Sequence, residues 1–192
     1  MAFLRIVRAV TPIAVAMAVT CEAPVAQAQS FGPPTPGICF LSRERVLGQS
    51  KAGMAANVRM AALTQAAEQE LSGARTEIAA DAKVLQIQKP VIDEAVYQRR
   101  AGALALREQS FGALEATRND QLARTRARVT ARILGETARG LAGVIGRRAC
   151  SAVLEASGAY AVNPRMDLTT EVIGLLDARL STIDFALEPA GH

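Results

Sequence analysis

The chain has 192 residues, 21% of them charged, with a net charge of +4 and a single histidine, His192, at its end. An excess this small does not by itself imply nucleic acid, although it suits an anionic partner or a membrane surface. A terminal imidazole is a poor catalytic base. No Ser-His-Asp set, Cys-His pair, metal cluster or phosphate loop accompanies it, so the sequence offers no enzyme chemistry and calls for no metal or cofactor.

Met1–Arg8 carries Arg5 and Arg8, an apolar run follows from Ala9 to Val19, and Ala26-Gln27-Ala28 is a small-x-small cleavage signal. This layout predicts a secretory signal peptide over residues 1–28, its apolar run too short to span a bilayer. Cys21 raises a lipid-anchored alternative, but Ala18-Val19-Thr20 fits a lipobox poorly. What remains after cleavage is one domain in length. Residues 29–37, with Pro33, Pro34 and Pro36, predict an extended, flexible lead. Ile38–Leu41 reads as a short buried strand.

Between Pro36 and Pro164 stands one proline, Pro90. Because proline costs a helix interior ~3 kcal/mol, the runs Leu47–Gln88 and Asp93–Arg148 read as helices, with the turn of an antiparallel hairpin between them. Residues 47–148 thus form a hairpin with its tip near 87–93, its arms roughly 60 and 80 Å long. In the first arm the apolar seam runs through Leu47, Met54, Val58 and Ala61, then Leu71, Ile78 and Leu85 with Ala74 and Ala82 between them. In the second, Asp93 caps the helix beside Glu94. That seam follows Tyr97, Ala101, Leu104, Phe111, Leu114, Leu122, Val129 and Ile133, interrupted by Glu108, Glu115 and Arg118. The glycine-rich stretch 140–146 reads as helix termination.

The second arm is basic. Arg99, Arg100, Arg107, Arg124 and Arg128 stand among further arginines, with Lys83 and Lys89 near the turn. They are either a solvated face with local ion pairing or a wall that attracts an anionic client or lipid surface. At the tip, Val91 and Ile92 either contact a client or close the turn.

Past Arg148, Cys150–Leu154 and Ala159–Val162 predict a strand hairpin around Glu155–Gly158. Asn163-Pro164 stops it. Asp167 or Thr169 then caps a short helix with Val172, Ile173, Leu176 and Leu180 inward, and residues 181–192 read as a mobile tail. The fold class is α+β: a long helical hairpin on a small β body built from residues 38–46 and 149–180. So few strands with open edges need cover, which points to an oligomer. Cys39 and Cys150 flank the helical region; an exported chain permits a bridge between them, and two buried thiols are the alternative.

The segments Ile38-Cys39-Phe40-Leu41-Ser42-Arg43-Glu44-Arg45-Val46-Leu47 and Gln49-Ser50-Lys51-Ala52-Gly53 resemble the first strand and the V-L-x-x-S-x-x-G tentacle start of the Skp/OmpH family of periplasmic chaperones. Val153-Leu154-Glu155-Ala156-Ser157 and Asp167-Leu168-Thr169-Thr170-Glu171-Val172-Ile173 resemble its V-V-D-A-N turn and D-I-T-x-x-V-I closing helix. Glu155 and Ser157 replace the usual Asp and Asn, and both cysteines are atypical.

The resemblance implies a periplasmic homotrimer with a β-barrel body and three basic tentacles around a cavity. There the family holds unfolded outer-membrane proteins without ATP. On that reading the client-facing residues are Leu71, Ile78, Leu85, Val91, Ile92, Leu104 and Phe111. Capture would be aided by Lys83, Lys89, Arg99, Arg100, Arg107, Arg124 and Arg128, with an anionic lipid or lipopolysaccharide surface as a further partner. The alternative is an envelope coiled-coil spacer that binds a folded partner through its arm tips. A nucleic-acid partner is disfavoured by the export signal.

Overall fold

The computed structural model describes residues 31–191. The expected signal peptide over 1–28 and His192 lie outside the described residues. In chain order the elements are β1 (Ile38–Leu41), α1 (Arg43–Gln49), α2 (Lys51–Gln88), α3 (Glu94–Arg148), β2 (Ala152–Glu155), 3-10 turns at Ala156–Gly158 and Pro164–Met166, and α4 (Thr169–Arg179). No helix among the described residues is long and apolar enough to cross a membrane.

The first arm begins with a break. Ser42 caps α1, its hydroxyl accepting from the Arg45 amide. Ser50 then ends α1 and starts α2, accepting from the Gly53 amide at 3.1 Å. The Asp177 carboxylate, on α4, takes the Lys51 amide at 2.7 Å, so a negative group sits at the positive end of α2. The two helices approach so closely here that a Cβ on Gly53 would lie 2.0 Å from the Leu47 carbonyl oxygen. Ser50 and Gly53 of the sequence motif therefore build a sharp corner that only a residue without a side chain can close.

α2 and α3 run antiparallel, about 57 and 82 Å long at 1.5 Å per residue. Lys89–Ile92 makes the turn, with the Val91 and Ile92 amides donating to the Gln88 carbonyl. Asp93 caps α3 through the Ala95 amide at 2.8 Å.

The inward face of α2 passes through Ala52, Ala56, Met60, Leu63, Ala67, Leu71, Ala74, Ile78, Ala82 and Leu85, all buried or half-buried. Ala52, Leu63, Ala74 and Leu85 stand 11 residues apart. So do Ala56, Ala67 and Ile78, and so do Met60, Leu71 and Ala82. The seam therefore has the 11-residue period, about 3.67 residues per turn, in place of the heptad. Met54 and Val58, expected on the seam, are 49% and 73% exposed. Small alanines allow the helices to approach in that phase, whereas the larger Met and Val are carried to the outer face.

β1 and β2 pair in parallel, Ile38 with Ala152 through Leu41 with Glu155. Parallel neighbours need a long crossover, and the whole helical arm serves as one. The expected hairpin of Cys150–Leu154 with Ala159–Val162 does not form, and Tyr160 is fully exposed. Instead Phe40 bridges Asp167 on the other side of β1, and the Leu168 amide donates to the Phe40 carbonyl. Cys39 and Cys150 are disulfide-bonded, their Cα atoms 5.8 Å apart across 111 residues of sequence. α3 passes straight through the glycines at 140–146. It stops at Ala149, which takes a left-handed conformation (φ 50°), while the Cys150 amide returns to the Ile145 carbonyl.

The core gathers Leu41, Val46, Ala56, Val129, Ile133, Val144, Leu168, Val172 and Leu176, and with them Ile183. Ile183 lies in the segment expected to be mobile. It is 5% exposed, so this segment is a strap laid on the arm: its apolar side chain fills the base and the backbone after it follows.

Candidate functional site

Two networks set the geometry. In the body, the Asp167 carboxylate accepts from the Thr169 amide at 2.8 Å and from Arg45 at 2.7 Å. The Thr169 hydroxyl accepts from the Ser42 amide. Burial pushes the Asp167 carboxyl up, but the Thr169 hydrogen bonds and the Arg45 guanidinium outweigh it and hold the group below the usual carboxylate range. Glu155 follows the same pattern: burial raises it, and the side chain and amide of Arg43 bring it below its ordinary value. Glu155, where the family motif carries Asp, thus ties the end of β2 to the start of α1.

On the arm, arginines bridge the two helices as rungs. Arg118 meets both oxygens of Glu70 at 2.8 and 2.9 Å. Its hydrogen bond lowers the Glu70 carboxyl and raises the guanidinium in turn. Arg75 pairs with Glu115 at 3.1 Å and lies over the Phe111 ring, 5.5 Å from its centroid. Arg107 reaches Asp81 and Glu77, and Arg100 reaches Gln88.

These rungs change the reading of the basic arm. Arg100 and Arg107 are held across the hairpin, while Arg124 and Arg128 are held by the strap, through the Pro189 carbonyl and the Glu188 carboxylate. For Arg107 and Arg118 the physical reason is the antiparallel register, which sets Glu70, Glu77 and Asp81 of α2 opposite them. Lys89 lies over Tyr97, 5.0 Å from the ring centroid. Lys83 and Arg99 are exposed, and among the described residues no ion pair engages them.

Of the apolar candidates, Leu85 and Leu104 line one groove near the tip together with Val84, Arg100 and Arg107. Leu71, Ile78 and Phe111 are half-buried along the seam, Ile92 is half-buried at the turn, and Val91 is 80% exposed. The expectation missed Val84, Ile87 and Leu106, which are 49%, 66% and 65% exposed. Their signal was present: Val84, Ile87 and Val91 step by three and four off the seam. With Leu106 they are large apolar side chains with nothing packed over them.

Among curated proteins, none matches the chain. Solved structures include a candidate outer membrane chaperone, OmpH-like, from Caulobacter crescentus CB15. It is 28% identical, with a TM-score of 0.75, over 86% of this chain and 98% of that one. The family model of outer membrane protein (OmpH-like) matches residues 37–176, which span β1, both arms, β2 and most of α4. The chain belongs to the OmpH-like family.

Proposed function

We propose that this protein is an ATP-independent periplasmic holdase chaperone that shields unfolded outer-membrane proteins from aggregation. In this reading it is exported by its cleavable N-terminal segment and works as a homotrimer. The open edge of β2, with Leu154 47% exposed, supports joining of copies into a shared barrel. The client then lies between the arms.

The observation that carries the reading is the distal arm. There Val84, Ile87, Val91 and Leu106 stand exposed beside the half-buried seam residues Leu71, Ile78, Leu104 and Phe111, far from any core. Each offers a small contact, and many such contacts shield a client while leaving it mobile. Lys83 and Arg99 supply charge that speeds encounter with an anionic client or lipid surface.

The test is dilution of a urea-unfolded outer-membrane barrel into the purified mature protein, read by light scattering. Suppression at one trimer per client is expected, and its absence sinks the proposal. A second reading, a spacer that grips a folded partner, draws on the exposed Val91 and Ile87 at the tip. It predicts binding to one folded protein and indifference to unfolded barrels.

A further inference from the structure

We propose that the face of α3 from Gln121 to Arg132 is a recognition track for an extended polypeptide, and that residues 183–191 are its tethered occupant, displaced when a client segment binds. The inference deepens the holdase reading and rests on it for the identity of the client.

The strap has neither helix nor strand structure, so its backbone polar groups must find partners elsewhere. Side chains of α3 supply them. The Glu188 amide donates to the Thr125 hydroxyl at 2.8 Å, and the Glu188 carbonyl accepts from the Gln121 side-chain amide at 2.8 Å. The Pro189 carbonyl accepts from Arg124 at 2.6 Å. From α2, Arg59 reaches the Phe185 carbonyl at 3.4 Å. Gly191 lies so close to Arg124 that a Cβ there would come within 3.1 Å of the guanidinium. Both main-chain groups of one residue are thus read by one helix face, which is recognition of extended backbone whatever the side chain.

Three side chains are selected. Ile183 enters the core, Phe185 packs against it, and the Glu188 carboxylate meets Arg128 at 2.6 Å. The ligand class follows: an extended peptide with apolar residues two positions apart near one end and an acidic residue five positions after the first.

The placement of the polar side chains argues for a track over a simple staple. Gln121 and Thr125 are 7% and 1% exposed, and they continue the four-residue ridge of Val129 and Ile133. Apolar residues there would pack a permanent strap more firmly. Amide and hydroxyl groups instead match a backbone of any sequence, and they remain hydrated when the strap lifts away. The strap also lies beyond residue 176, where the match to the family model ends.

The probe is a fluorescein-labelled peptide of residues 181–192, followed by anisotropy. The acceptors are the full chain and a chain ending at Leu180, with helicity checked by circular dichroism. The peptide should bind the shortened chain saturably and the intact chain about tenfold more weakly, because the tether competes. An unfolded outer-membrane barrel should drive the peptide off.

If the shortened chain does not fold, the full chain carrying Glu188→Lys keeps Ile183 in place, loosens the strap and should gain peptide binding. Absence of binding to either folded acceptor overturns the inference. So does binding that the unfolded barrel cannot displace, which would leave the strap a staple. The holdase reading fails separately, by loss of aggregation suppression in intact and shortened chains while peptide binding persists.

Discussion

The two halves of the arm are the same pair of helices held by different forces. Toward the base, Val129, Ile133 and Val144 of α3 are 6%, 1% and 0% exposed and share one core with β1, α1, α4 and the strap. Toward the tip, Leu85 of α2 is still buried, but Leu71, Ile78, Leu104 and Phe111 are only half-buried among small alanines, and arginine rungs span the gap. Apolar burial is strong and little affected by salt, whereas exposed ion pairs are weak and screened. The chain therefore joins a fixed foot to a yielding limb, and the limb carries its exposed apolar side chains where they can meet something else.

The sharpest way to break the comparison is to reduce the Cys39–Cys150 bridge, which belongs to the base alone. Closing a span of this length is worth about 4–5 kcal/mol in the chain-entropy model. Reduction should lower the urea midpoint of the whole domain while hydrogen exchange in the distal arm hardly changes. Next come paired truncations. Ile133→Ala should cost about 2–5 kcal/mol, whereas Leu104→Ala, at a half-buried position, should cost about 1 kcal/mol. Equal costs by urea titration would erase the distinction between foot and limb.

Acid sharpens the body's side. The Asp167 carboxyl is held below its ordinary value, so the folded state binds fewer protons than the unfolded one as pH falls through that range. Stability from this group is full above the unfolded value and is lost as pH drops through the lowered folded one. The difference in urea midpoint between wild type and Asp167→Asn should be present at neutral pH and vanish in acid. The smallest effect lies on the limb: Arg118→Met should leave the global midpoint almost unmoved. It should speed amide exchange around Glu70 and Glu115 at low salt, and added salt should remove the difference from wild type.

The large plan was legible because punctuation survives in composition. Pro90 marked the turn, Asp93 the cap, and the proline-free runs the two helices. The seam of α2 was misphased in its first half because the large residues Met54 and Val58 drew the reading outward, while the alanines that pack carry little hydropathic signal.

Parallel pairing of β1 with β2 left no local trace, since the partners lie on either side of the entire arm. The segment from Ser181 onward, with Pro189 and Gly191, has the composition of a frayed end. Its docking depends on Ile183 and on polar side chains of a helix some sixty residues earlier. For the site, charge could be counted in the sequence. Which arginines are already neutralised could not, because that follows from the antiparallel register and from the docking of the strap.

The 11-residue period of α2 sets a rule for resizing the limb. Its strands of departure and return lie side by side, so the body is indifferent to how far the excursion extends. Excising one such repeat from α2 and a matched stretch from α3 would shorten the reach by about 16 Å and leave every remaining alanine facing its partner. A cut of seven would leave the stripe about 30° out of phase with its partner, so reach in this scaffold comes in discrete steps.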